Sequence, residues 1–136
     1  MTDINQTIAA AASGMRAQTT RMRIAAENVA NANSAGANSD EDPFRRRIPL
    51  LESTTLASGA QGVRVQGAVF DMSAFREEFN PSHPAADERG YVQLPNVDTL
   101  VEMMDLREAT RAYEANLNMI EAARGMTTRA LELLRR

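Results

Sequence analysis

The only histidine in the sequence, His83, stands four and five residues before two carboxylates, Asp87 and Glu88, in the stretch NPSHPAADERGYVQLPN, residues 80–96. Imidazole next to carboxylate is the raw material of a metal site or a general base. A metal site needs three or four ligands sharing one geometry. Here His83 is flanked by Pro81 and Pro84, has no second imidazole to join it, and the chain has no Cys to offer a thiolate. The spacing to Asp87 and Glu88 matches no ligand signature. A general base needs a nucleophile or water within reach, in a pocket with several convergent polar groups. Ser82 adjoins His83, but neighbours along an extended chain point to opposite sides, and no glycine-rich phosphate loop accompanies them. The expectation is no catalytic residue, no bound metal, no cofactor and no small-molecule substrate, with a metal-assisted hydrolase centred on His83 as a distant third reading. Proline and glycine instead mark the stretch as an extended connection that turns at Gly90 and delivers the chain to a helix through Pro95 and Asn96.

Arg45, Arg46 and Arg47 form the other conspicuous cluster. Three guanidinium groups can grip an anion, but successive side chains of a strand alternate faces, so all three converge only if the chain bends. The simpler expectation is an exposed strand edge blunted by charge.

Composition narrows the classes further. The net charge of −3 is mild and spread along the chain, so it lacks the basic face that nucleic acid requires. All fifteen basic residues are Arg, which suits planar bidentate contacts at protein interfaces. With four Phe, two Tyr and no Trp, the apolar content rests on Ala, Leu, Val, Ile and eight Met. Small and flexible side chains suit close helix contacts better than a thick sheet sandwich. The start, MTDINQTIAAAASGMR, has an acid at position 3 and no basic stretch before a long apolar run, so a cleaved secretory signal is not expected. An Arg-rich transit peptide would have to end inside a heptad pattern that continues past it.

That pattern defines the elements. Ile8, Met15, Met22 and Val29 are seven apart, as are Ile4, Ala11, Gln18, Ala25 and Ala32. Interleaved, they form the seam of a coiled-coil-like helix with one large row and one mostly alanine row, broken only by Gln18. Arg16, Arg21 and Arg23 fall mostly off it. Asn28, Asn31, Asn33 and Gly36 have poor helix propensity and end the helix near there. From Thr99 onward, opened by Thr99 and Glu102 in capping-box spacing, a second helix carries two seams. One contains Leu106, Thr110, Tyr113, Leu117, Ile120, Arg124, Thr127, Leu131 and Leu134; the other contains Ala109, Ala112, Asn116, Met119, Ala123, Met126, Ala130 and Leu133. Two seams exceed what one partner helix covers, so the second needs another surface, with Leu117 expected to face the first helix and Met119 a neighbouring molecule. Pairs of Glu108 with Arg111 and Glu132 with Arg136 are expected on the remaining face. Between the helices, FRRRIPLLE (44–52) and GVRVQGAVF (62–70) have strand character, Pro49 confining the first to an edge or break. Residues 34–43, SAGANSDEDP, read as a mobile loop.

The fold expected is therefore mainly α with a small β region: long terminal helices packed as a coiled-coil-like pair, with a short irregular β segment between them. Residues 1–33 form an N-terminal assembly helix, 34–95 a loop, small β region and extended connection, and 96–136 a C-terminal assembly helix, all within one structural unit.

The stretch NPSHPAADERGYVQLPNVD followed by EMMDLREATRAYEAN resembles the bacterial flagellar basal-body rod proteins of the FlgC type, with their pattern HP-x-AD-x-x-GYV-x-x-PNV and then EM and Y-x-AN on a helix. His83, Pro84, Ala86, Asp87, Gly90, Tyr91, Val92, Pro95, Asn96, Val97, Glu102, Met103, Arg111, Tyr113, Ala115 and Asn116 fall on it. ENVANANS is similar to the rod and hook signature at Asn28, Val29, Ala30 and Asn31, with Ser34 where Thr is usual, and PFRRR at 43–47 is similar to the family's PYRRK. The resemblance covers nearly the whole chain, least well at 34–42 and 53–61. It implies a structural subunit of the proximal rod, exported through the flagellar type III apparatus without a cleaved signal. Its terminal helices would polymerise with itself, other rod proteins and the flagellar base to form a drive shaft and export channel across the periplasm. It also implies no nucleic acid, no direct membrane insertion and no enzymatic activity. The alternative is a coiled-coil adaptor or binding module unrelated to flagella, which would use the same seams. Residues proposed for assembly are Ile8, Met15, Met22, Val29, Leu106, Tyr113, Leu117, Met119, Ile120, Met126, Leu131, Leu133 and Leu134.

Overall fold

The computed structural model describes residues 2–135. Among these the chain forms α1 (Thr2–Ala30), β1 (Arg47–Thr55), β2 (Gln61–Phe70), β3 (Arg76–Phe79), β4 (Tyr91–Leu94) and α2 (Thr99–Leu134). Two long helices packed on each other, with two small hairpin sheets between them in sequence, agree with the expected class.

α1 stops just before Asn31. Asn31 turns its side-chain amide back onto the Glu27 carbonyl at 2.9 Å, and Ser34 donates to Asn31 Oδ1 at 3.2 Å, local bonds that compete with helix continuation. Residues 34–43 then close as a loop through the Phe44 N–H to Ser34 carbonyl and the Ala37 N–H to Glu41 carboxylate, each 3.0 Å. β1 and β2 pair antiparallel, and the register shifts at Leu50/Leu51, where Gln66 is the extra residue opposite. Pro49 is tolerated because β1 belongs to a two-stranded sheet.

The 80–96 stretch departs from expectation. It is not merely an extended connection: its last part is β4, paired antiparallel with β3 from Arg76↔Leu94 to Phe79↔Tyr91. The acidic REEF segment carried no strand signal, and the pairing is supplied by long-range backbone bonds and the edge-to-face Phe79–Tyr91 contact at 5.3 Å.

α2 opens differently from the capping-box reading. Asp98 is the cap, accepting from the N–H groups of Leu100 at 2.9 Å and Val101 at 3.4 Å, while Glu102 turns inward and is 2% exposed. The carboxylate is drawn off the cap by stronger partners inside the fold. Glu108, expected beside Arg111 on its own helix, instead lies 4.0 Å from Arg21 of α1; the Glu132–Arg136 pair lies outside the described residues.

The core is thin and alanine-rich. α1 and α2 run antiparallel, with Asn28 near Glu102, Met22 near Thr110 and Gly14 near Asn116. Ala11, Ala25, Ala109 and Ala123 are buried, letting the helices approach closely. A second face of α1, with Ser13, Ala17, Ile24 and Asn28 all buried, meets the β1–β2 hairpin, where Ser13 Oγ accepts the Val63 N–H at 3.1 Å.

Candidate assembly surfaces and the junction that positions them

The α1 seam is arranged as the sequence spacing requires. Ile8, Met15, Met22 and Val29 are half-buried, Ala11, Ala25 and Ala32 buried, and Gln18 keeps its polarity satisfied by accepting from Arg21 at 3.1 Å. On α2 the pairing is subtler than two parallel seams. The face against α1 takes Leu106, Tyr113, Ile120 and Thr127 from one row and Ala109, Asn116 and Ala123 from the other, all buried or half-buried. The reason is geometric: positions three and four apart alternate across a contact line, so one seam draws on both rows. Leu117 is 38% exposed, at the edge of this face, one heptad beyond Thr110, whose hydroxyl lies 3.5 Å from Met22 Sδ of α1.

The remaining apolar positions form a stripe of their own. Val101, Met104, Ala115, Met119, Ala122, Met126 and Leu133 are exposed and, at 3.6 residues per turn, cluster in a direction roughly 110° from the α1 contact. Met104, Met119, Met126 and Leu133 are 63%, 50%, 56% and 72% exposed. Beyond them α2 outruns α1: residues 128–135 are exposed on every side, including Leu131 and Leu134.

What fixes these surfaces in space is a polar junction where the end of α1, the start of β1 and the start of α2 meet. Asn28 is completely buried. Its amide pairs with the Arg47 backbone in both directions, at 2.9 Å to the carbonyl and 3.0 Å from the N–H, and also donates to Glu102 Oε2 at 3.1 Å. Glu102 Oε1 accepts from Arg46 Nε, and Arg46 reaches Asp71 at 3.4 Å and Asp105 at 3.9 Å. Asn96 accepts the Arg46 N–H at 2.8 Å and donates to the Asp71 carbonyl at 2.9 Å. Among the described residues no buried side-chain polar atom lacks a partner, the condition under which a buried polar network is tolerable.

The charges respond accordingly. Burial alone would lower Arg46, but hydrogen bonding and attraction to Glu102 and Asp71 outweigh it and hold Arg46 above the ordinary arginine value. The Ser73 N–H and hydroxyl, then Arg46, hold Asp71 below the usual carboxylate range. The Arg45–Arg47 cluster is thus neither an anion grip nor a solvated edge. Arg45 lies over the Phe75 ring at 4.1 Å and donates to the Asp71 carbonyl at 3.0 Å, Arg46 enters the junction, and Arg47 is 3.4 Å from Glu27. Each arginine is drawn to a different element, which residue type alone does not announce.

The motif residues of the connecting stretch serve the turn. His83 Nδ1 accepts the Ala85 N–H at 3.0 Å. Asp87 accepts the N–H groups of Tyr91 and Arg89, each at 2.9 Å, and these bonds, the Tyr91 one foremost, keep its carboxyl low. Gly90, at φ +83°, is buried against Phe79 and Pro81. Pro95 is buried, Pro84 exposed, Tyr91 40% exposed and Ala115 exposed. Among the described residues no three of His, Cys, Asp and Glu gather as a metal-holding group, and no helix is long and apolar enough to cross a membrane. Arg46, Asp71 and the inward turn of Glu102 are the features that sequence reading missed.

Comparison with known proteins gives one family. The profile described as Flagellar basal body rod FlgEFG protein C-terminal matches residues 88–133. The chain is 42% identical over 126 residues to a protein of Agrobacterium fabrum, covering 92% of this chain and 91% of that one. It is 38% identical to one of Aquifex aeolicus, over 97% and 98% of the two chains, and 38% identical to one of Bacillus subtilis, over 90% and 92%. All three relatives carry the name flagellar basal-body rod protein FlgC.

Proposed function

We propose how this chain works from one premise: it belongs to the FlgC family of flagellar basal-body rod proteins. It is a structural subunit of the rod. In our reading it joins the proximal rod, polymerising through its terminal helices with copies of itself, other rod proteins and the flagellar base to build the drive shaft and its central export channel. It reaches the periplasm through the type III apparatus without a cleaved signal and catalyses no reaction.

The observation that carries this reading is the α2 stripe. Met104, Met119, Met126 and Leu133 stay at least half exposed while α1 is already seated on another face of the same helix. A row made mostly of unbranched, adaptable methionine side chains on a helix suits packing against more than one neighbour. Each such side chain stands to gain roughly 1 kcal/mol on covering, about half of the 1.5–3 kcal/mol of full burial. Residues 128–135 extend the same surface beyond α1.

The test is Met119→Asp together with Met126→Asp, expressed in a strain lacking the native subunit. The isolated protein should keep wild-type helix content by circular dichroism, because neither side chain enters the α1 contact. Rods should be absent from purified basal bodies and the cells should not swim. Swimming with intact rods would show the stripe to be idle surface and would sink the assembly reading.

A further inference from the structure

The apolar contact between α1 and α2 repeats itself every seven residues. On α1 the large positions Ile8, Met15, Met22 and Val29 alternate with Ala11, Ala25 and Ala32; on α2 Leu106, Tyr113 and Ile120 alternate with Ala109 and Ala123. Sliding one helix along the other by a heptad, about 10.5 Å, sets large residues beside large and small beside small once more. Hydrophobic burial therefore distinguishes the registers only weakly, and something else must choose among them.

We infer that the buried trio Asn28, Glu102 and Arg46 is the register device of the helix pair, with the Gly14–Asn116 contact as its second pin. Asn28 and Glu102 are 0% and 2% exposed and meet at 3.1 Å, and Arg46 bonds the other carboxylate oxygen. A slide in one direction sets Asn28 opposite Ala109. A slide in the other sets Glu102 near Arg21. Both carry the carboxylate a heptad away from Asn28 and Arg46. The first slide leaves the amide against an apolar side chain and the carboxylate without its guanidinium, a loss that water cannot make good there; the second offers the carboxylate Arg21 in place of Arg46 but strips Asn28 of its carboxylate acceptor. The other bonds at this end are replaceable: Arg76, which reaches the carbonyls of Ala32 and Pro95 at 2.9 and 3.0 Å, is exposed, and Asn96 is only half-buried. At the second pin, a Cβ added to Gly14 would stand 2.7 Å from Asn116 Nδ2, so Asn116 fits closely opposite glycine. After a slide it would face a residue with a side chain. Polar groups inside an otherwise repetitive seam commonly serve this purpose, at some cost in stability.

Disulfide trapping tests the idea cleanly, because the chain has no cysteine of its own. Met22 Sδ lies 3.5 Å from Thr110 Oγ1, so Met22→Cys with Thr110→Cys reports the native register. Met15→Cys or Val29→Cys with Thr110→Cys reports a slide of one heptad either way, a separation no disulfide bridges without movement. In the otherwise wild-type chain only the 22–110 pair should close under mild oxidation. In the Asn28→Leu, Arg46→Met, Glu102→Leu background, which removes both charges of the pair together with the amide rather than leaving one of them unpaired, closure of 15–110 or 29–110 should rise by about tenfold or more while helix content is retained. Asn28→Leu, Arg46→Met, Glu102→Leu protein that still closes only 22–110 would overturn the inference. Loss of folding in that background would overturn it as well, since the trio would then be supplying stability rather than choosing a register.

Discussion

Replacing Glu102 alone, by Ala, should be among the most damaging single changes available in this chain. The side chain is 2% exposed and both its oxygens are used, one by Arg46 Nε and the other by Asn28 Nδ2 at 3.1 Å. Breaking a buried ion pair by removing one partner costs about 3–5 kcal/mol, because the other charge is left without compensation. Two features pull the figure to the lower end. Arg46 keeps about a fifth of its side chain in solvent (21%) and has Asp71 at 3.4 Å and Asp105 at 3.9 Å to turn to. Asn28 keeps both bonds to the Arg47 backbone. We expect about 3 kcal/mol for Glu102→Ala and about 1–2 kcal/mol for Glu102→Gln, which preserves shape and one acceptor but removes the charge. The assay is urea unfolding followed at 222 nm, reading the midpoint at unchanged slope. For a chain of this size the Ala variant should also melt about 10 °C lower or more. A loss below about 1 kcal/mol for Glu102→Ala would refute the reasoning, since a group that inexpensive to delete is not holding a buried partner.

Acid should loosen the fold through Asp71 and Asp87, both held below their ordinary range in the folded state. Their stabilisation is full above the unfolded carboxylate value of about 3.9 and is lost as pH falls through the lower folded values. The unfolding midpoint should therefore decline from about pH 4 downward. Asp71→Asn with Asp87→Asn should flatten that decline, and an unchanged profile would contradict the assignment. Gly90→Ala should lose about 2 kcal/mol, since φ is +83° and the added Cβ would stand 2.9 Å from the Phe79 ring; an unaltered urea midpoint would rule this out. His83→Ala should cost no more than about 1 kcal/mol, the value of its bond to the Ala85 N–H, and leave rods intact in basal-body preparations.

How far the sequence reaches is clearest in the helices. Heptad spacing located α1 and α2, identified the α1 seam from Ile4 to Ala32, and showed that α2 carries more apolar surface than one partner can cover, because a helix period is a local property written into consecutive residues. Asparagine and glycine similarly marked the end of α1. The motifs around Gly90, Pro95 and Asn116 also pointed to the family that the relatives establish. Three decisions belonged to the tertiary structure. α2 drew its inward face from both rows, because two helices meet along a line that crosses heptad rows. β3 formed from REEF without a strand signal of its own, because β4 supplied its hydrogen bonds. Glu102 left its cap for Asn28 and Arg46, residues 74 and 56 positions away, because a carboxylate shielded from water is held more strongly by a guanidinium and an amide than by a solvated helix end. Spacing along the chain carries information about what lies within a few turns; partners separated by half the sequence are chosen only when the whole chain has closed.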